Sequence, residues 1–381
     1  MAAESIDLEL QFEWREDCAE HADSSELYDC TLYDYTFGAP ELRVEPLRLY
    51  PDRAIPGLEL TPREVVRQFA TPGGLALRDG LEFGEWLEKL LFAPRLSERV
   101  SRPSNLYDLW RAAVARAGDG ASARPLKLQI SFKYRNSQEE ERSSGLLEQL
   151  PFELLARDGG FLFRRVGWTL VRTFRGMQAR ECELDERSGL GLLWANPADR
   201  PDEQRLSQKL FDRHEDVVRR AGAALARRSV EPVRYATRES LRQLAARHRE
   251  SREPVDVLTI VAHGSPGWLL LHKHGHAAYP NDPGEPLSAA ELAEELAACG
   301  VKVALLWSCH AAQGHELLGS VAQQLLDRGG VVAVVGAHAA LRADTTPDLA
   351  QRIFEEVTTA GGELDRAVGL VVRGAPREDR L

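Results

Sequence analysis

A chain of 381 residues that is 43% hydrophobic and 28% charged has enough apolar side chains for one large domain or two ordinary ones with full cores. Its formal net charge of -11 argues against nucleic acid as the main partner, since phosphate binding needs a basic surface. No apolar run approaches the roughly eighteen residues that span a bilayer, and "MAAESIDLEL" lacks the basic segment and apolar core of a secretion signal, so a cytoplasmic protein without a membrane partner is expected.

In the first half, "IDLELQFEW", "ELRVEPLRLY" and "PLKLQISFKY" read as strands. The segment 81–93 has helical spacing, with Phe83, Trp86, Leu87 and Leu90 as a core stripe. "RNSQEEERSSG" (135–145) reads as a solvated loop. The organisation shifts near residue 185, which divides a first part, 1–184, from a second part, 185–381, where short apolar strands alternate with helices. "GLGLLWANP" is a first strand closed by Asn-Pro, and Leu206, Leu210, Val217, Ala221 and Leu225 outline a helix over 203–228. "EPVRYA" is expected as a second strand, 239–250 as a helix, and "VDVLTIVA" as a third strand buried on both faces. "GWLLLHKHGHAAYP" reads as a hairpin turning at Gly275, followed by a Pro- and Gly-rich loop and a capping box, Ser288 to Glu291. "VKVALLW" is a fourth strand, 316–328 a helix, "VVAVVGA" a strand, and Thr346 caps a last helix that ends at Gly361 and Gly362. The fold class is therefore α/β, with an open, mostly parallel sheet covered by helices on both faces.

Two of these strands end on chemistry. The third runs into His263 and Gly264, the fourth into Cys309. Parallel neighbours joined by a crossover present their carboxyl ends on one edge, where open α/β sheets bind ligands, so residues 46 positions apart face one crevice. An imidazole there can take a thiol proton and return it to a leaving amine. Gly264, without a side chain, lets its N–H approach a substrate carbonyl and form an oxyanion hole with the N–H of Cys309. A lone histidine after a core strand is otherwise a structural residue, and the second residue is what makes this one a candidate.

The remaining candidates have simpler readings. Cys18, Cys30, Cys182 and Cys299 show neither disulfide nor zinc-ribbon spacing, and Cys299 reads as a small buried residue. His272, His274 and His276 alternate and could meet a metal with His310 or His315, but in a hairpin they read as exposed polar positions. Ser308 lacks a nucleophile elbow. No metal or cofactor is expected.

Together these segments resemble the CHAT proteases, relatives of caspases and separases. "VAHGSPGWLLL" resembles that family's His-Gly element, "VALLWSCHAAQG" its strand-to-cysteine element, and "RGGVVAVVGAHAALRADTTPDLAQRIFEEV" and "GGELDRAV" the segments that follow. "LEQLPFELLARDGGFLFRRVGWTLVRTF" is similar to a segment usually written Leu-Pro-Trp-Glu, with Phe152 in the Trp position. The resemblance covers roughly residues 75–375. It implies a caspase-like sheet in 185–381 preceded by a smaller, non-catalytic α/β or β-rich part in 1–184, and a cysteine endopeptidase with a His263–Cys309 dyad. It also implies a specific protein substrate or self-cleavage, with activation by a protein partner in a bacterial stress or antiphage pathway. Metacaspases carry Asp where this chain has Trp307, while separases use an Asp in the loop where Asp344 stands. Asp344 and Trp307 are thus the substrate-pocket candidates, with Asp344 able to pair Arg or Lys or simply to sit in a turn. The rival expectations are a scaffold that keeps the dyad but acts by docking, and a metal-dependent hydrolase built on the histidines.

Overall fold

The computed structural model describes residues 6–15, 26–36, 41–70, 75–92, 106–118, 124–133, 146–164, 168–173, 189–197, 206–251, 255–265, 267–275, 283–309, 321–328, 330–336, 343–359 and 364. They form two compact units, one built mainly on residues up to 179 and the other on 180–362. The first unit is comparable in length with the second rather than smaller.

The first unit contains β1 (Ile6–Trp14), β2 (Glu26–Asp34), β3 (Glu41–Leu49), α1 (Pro62–Ala70), α2 (Leu77–Phe92), α3 (Leu106–Ala117), β4 (Leu126–Lys133), the single turn α4 (Leu146–Gln149), the short pair β5 (Ala156–Arg157) and β6 (Gly160–Phe161), and β7 (Trp168–Thr173). Its mixed five-stranded sheet runs β3-β2-β1-β4-β7, antiparallel on the β2 side of β1 and parallel on the β4 side. Register places Phe12 opposite Phe132, whose rings stack at 5.5 Å, and Phe152 packs on both. On α2 the fully buried stripe is Phe83, Leu87 and Leu91, while Trp86 and Leu90 are only half-buried. Gly84 lets this helix settle on the 152–154 turn, because a Cβ there would overlap the carbonyl oxygen of Leu154.

The Leu-Pro-Phe-Glu segment acquires a structural role from these contacts. Arg172 on β7 lies 5.3 Å over the Phe152 ring, donates to the carbonyls of Glu148 and Leu150 at 2.9 Å, and pairs with Glu153 at 2.6 Å. One arginine thus ties the turn to the sheet while Phe152 fills the core. Phe152→Ala is expected to cost about 3–5 kcal/mol, measured as a fall in urea midpoint at unchanged m-value.

The second unit contains β8 (Gly189–Trp194), α5 (Gln208–Ala224), β9 (Arg228–Ser229), α6 (Arg238–Ser251), β10 (Val257–Val261), β11 (His263–Ser265), β12 (Trp268–His272), β13 (Gly284–Ser288), α7 (Ala289–Cys299), β14 (Val303–Trp307), α8 (Val321–Arg328), β15 (Ala333–Gly336) and α9 (Thr346–Thr359). The five strands β15-β14-β10-β8-β9 make an all-parallel sheet. The chain leaves β8 for β9 on one side and then builds β10, β14 and β15 on the other, so the topological switch lies between β8 and β10. Every residue of β8 and β10 is buried, as continuous apolar runs require when helices cover both faces. Leu193, Ile260 and Leu306 pack with Leu241 and Leu244 of α6, Leu292 and Leu296 of α7 and Leu325 of α8. Trp194 meets Phe211 of α5 edge-on at 5.4 Å, and α9 packs beside α5. This is a mixed α/β arrangement compatible with a caspase-like fold.

Several expectations need correction. "EPVRYA" is not a regular strand: β9 lies just upstream, and Val233 makes only an isolated bridge to Leu193. Pro232 has no N–H to donate and Tyr235 takes a left-handed φ of 57°, which interrupts the ladder. The return strand of the Gly275 hairpin is β13, inside the segment read as a loop. Thr346 begins α9 rather than capping it, its hydroxyl donating back to the carbonyl of Ala343. The capping box of Ser288 and Glu291 forms as expected. Segments 135–145 and 316–320 and the glycines 361 and 362 lie outside the described residues, as does all of "GGELDRAV" but residue 364. Among the described residues no helix is long and apolar enough to cross a membrane.

Candidate active site

The site begins with register. Along β10 and β14 the partners run from Val257 with Val303 to Val261 with Trp307, and the Ala262 N–H reaches the Trp307 carbonyl at 3.4 Å. Two residues beyond the last pair, each chain reaches its chemical residue: His263 on one, Cys309 on the other. Both are half-buried, an exposure that admits a substrate while leaving supporting walls.

His263 is also held from outside the main sheet. It opens β11, which pairs antiparallel with β12, His263 opposite Leu270, and β12 pairs with β13. The short strand was not legible in "HGS", because three residues carry no periodicity. Gly264 closes the gap between the two strand ends. A Cβ there would lie 2.6 Å from the Cys309 carbonyl oxygen and 3.1 Å from the Ser308 hydroxyl oxygen, so backbone packs on backbone only because the residue is glycine.

Trp307 is 8% exposed and its ring lies 6.3 Å from that of His214 on α5. Asp344 is exposed and sits in a short 3-10 turn, Ala343–Thr345, directly before α9. Ser308 is 3% exposed, which withholds its hydroxyl from a substrate.

A family model described as the CHAT domain matches residues 81–379, most of the chain. The chain belongs to the CHAT-domain family. No curated protein matches it. CHAT domains are a caspase-like peptidase family, and the His-Gly and strand-to-cysteine segments of this CHAT protein both lie within the matched residues.

The other cysteines and histidines of the CHAT protein have different surroundings. Cys30 and Cys299 are buried. Burial, with the charge of Glu295, pushes the Cys299 thiol up to about 12, and its Sγ–H donates to the Leu241 carbonyl. Cys18 and Cys182 lie outside the described residues. His272 is not an exposed hairpin position: it is 4% exposed, its Nε2 accepts the Asn196 N–H at 2.9 Å, and Tyr235 packs edge-on against it at 5.3 Å. His272 is covered because β12 is the middle strand of its small sheet, whereas His274, beyond the strand end, is exposed. Among the described residues no group of three or more His, Cys, Asp or Glu side chains is placed to hold a metal ion. His276, His310 and His315 lie outside those residues.

Sequence reasoning passed over His214. It occupies the apolar stripe of α5 between Leu210 and Val217, and a histidine at a core position of a helix was the available signal. It is 0% exposed, and burial together with the neighbouring Arg213 charge pushes its pKa from 6.5 down to about 4. The folded protein therefore resists a proton that the unfolded chain accepts below 6.5. Stability from this group is complete above that pH and is lost as pH falls toward 4, up to about 3 kcal/mol. Urea titrations at a series of pH values should show a shallower acid slope for His214→Asn than for wild type.

Proposed function

We propose that this CHAT protein is a cysteine endopeptidase acting in the cytoplasm on a specific protein substrate or on its own chain. Cys309 attacks the scissile carbonyl while His263 takes the thiol proton, and His263 then gives that proton to the leaving amine. The N–H groups of Gly264 and Cys309 receive the oxyanion, and water, deprotonated by His263, releases the acyl group and restores the thiol. Asp344 and Trp307 line the pocket for the side chain before the cut, where the carboxylate would select Arg or Lys. A protein partner switches the activity on, in a bacterial stress or antiphage response.

The observation that supports this reading is the in-register pair β10 and β14, from whose carboxyl ends His263 and Cys309 both emerge, with Gly264 seated against the Cys309 carbonyl. The test compares new protein N-termini in a host-cell lysate supplied with wild type or with Cys309→Ala. Termini made only by wild type, with Arg or Lys before the cut, are expected. A wild-type sample indistinguishable from Cys309→Ala, even with candidate partners from the native cell added, overturns the peptidase reading in favour of a docking scaffold.

A further inference from the structure

We infer that Arg213 and His214, adjacent on α5, are positioning residues for the substrate pocket, holding the turn that carries Asp344 against the strand end that carries Trp307 and Cys309. The inference rests on the peptidase reading above and names how its pocket is kept in shape.

The turn is held at two successive carbonyls. The hydroxyl of Thr346 donates to the Ala343 carbonyl at 2.8 Å, so toward His214, 2.9 Å away, it acts as the acceptor. His214 therefore carries its proton on Nε2 and completes a relay from α5 through Thr346 to the start of the turn. Arg213 takes the next carbonyl: its Nη1 donates to the Asp344 oxygen at 3.0 Å, and its Nη2 pairs with Asp348 at 2.5 Å.

The same imidazole faces the strand end. Its ring centroid is 6.3 Å from that of Trp307, at 39°, and 6.3 Å from that of Trp194 at the end of β8. With His214 0% and Thr346 2% exposed, water does not compete for the relay. His214 also stays neutral at physiological pH, so its Nδ1, which meets no hydrogen-bond partner among the described residues, carries no proton. Neither residue has to touch the thiol or the substrate. Their effect is to restrict an exposed carboxylate to one place, since a charge on a turn free to move selects little.

The test reads two alkylation rates of Cys309 in the full chain. Iodoacetamide carries no peptide side chain and reports the thiol and its base. A pair of peptide chloromethyl ketones, alike except for Arg or Leu next to the reactive carbon, reports the pocket. Wild type is expected to prefer the Arg reagent by about tenfold or more, and Asp344→Asn to lose that preference. Thr346→Val, which removes the hydroxyl at nearly constant volume, and His214→Phe should each cut the Arg/Leu ratio about fivefold while leaving the iodoacetamide rate within about twofold. Thr346→Ser keeps the hydroxyl and should keep the ratio. A wild-type preference that survives both Thr346→Val and His214→Phe overturns the inference alone. A wild-type ratio of one, with candidate partners from the native cell added, overturns the pocket assigned to Asp344, and this inference with it.

Discussion

Cys309→Ala is expected to lower substrate cleavage by at least about 10⁴-fold, and His263→Ala by a comparable factor, with the double variant little worse than either. The non-additivity is the informative part. If the thiol and imidazole act as one unit, removing the second after the first removes nothing more, whereas two independent contributions would multiply. Because Cys309 is half-buried and follows the strand rather than filling its core, the alanine variant should unfold within about 3 °C of wild type. Single-turnover cleavage of a substrate identified from the new N-termini, paired with thermal unfolding of each variant, separates chemistry from folding. Retained cleavage in Cys309→Ala would end the nucleophile assignment.

Gly264→Ala is expected to cost on the order of 10²-fold in cleavage with a much smaller effect on folding. The added methyl would stand 2.6 Å from a backbone carbonyl, closer than real Cβ contacts, and a carbonyl in a strand end cannot rotate aside as a flexible side chain does. Either β11 or the Ser308–Cys309 segment must retreat, and each retreat moves either His263 or Cys309. The stability loss should stay in the range of about 1–3 kcal/mol, the usual cost of overpacking. Gly275→Ala is the control: its nearest neighbour would be the Thr237 methyl at 3.7 Å, ordinary contact, so activity and stability should both hold. Equal kinetic losses in the two variants would remove the special role given to Gly264.

The elements that were legible share a physical cause. β8, β10 and β14 announce themselves as short apolar runs because the parallel sheet is covered on both faces, and α7 begins where its capping box says. What was misread lacks such a signature. β9 is two residues long, β13 contains Pro286 and takes its identity from pairing with β12, and β11 is three residues whose conformation comes from Leu270 and its neighbours. The burial of His272 follows from β12 being a central strand, which depends on the distant β13.

The site divides in the same way. His263, Gly264 and Cys309 could be nominated as candidates because they stand where apolar runs end, and that is a local pattern. The roles of Arg213 and His214 could not be, since their partners lie more than a hundred residues away, at Asp344, Thr346 and Asp348.

By itself, then, the sequence determined the α/β class of the second unit, the places of its long apolar strands along the chain, the family and the residues worth testing, because burial on both faces and glycine beside a reactive side chain leave marks within a few positions. Only the tertiary structure decided that Val261 pairs with Trp307 and that Gly264 meets the Cys309 carbonyl. The α5 relay that holds the Asp344 turn was likewise settled only there. Those are long-range contacts, selected by how strands and helices pack, and no local propensity encodes them.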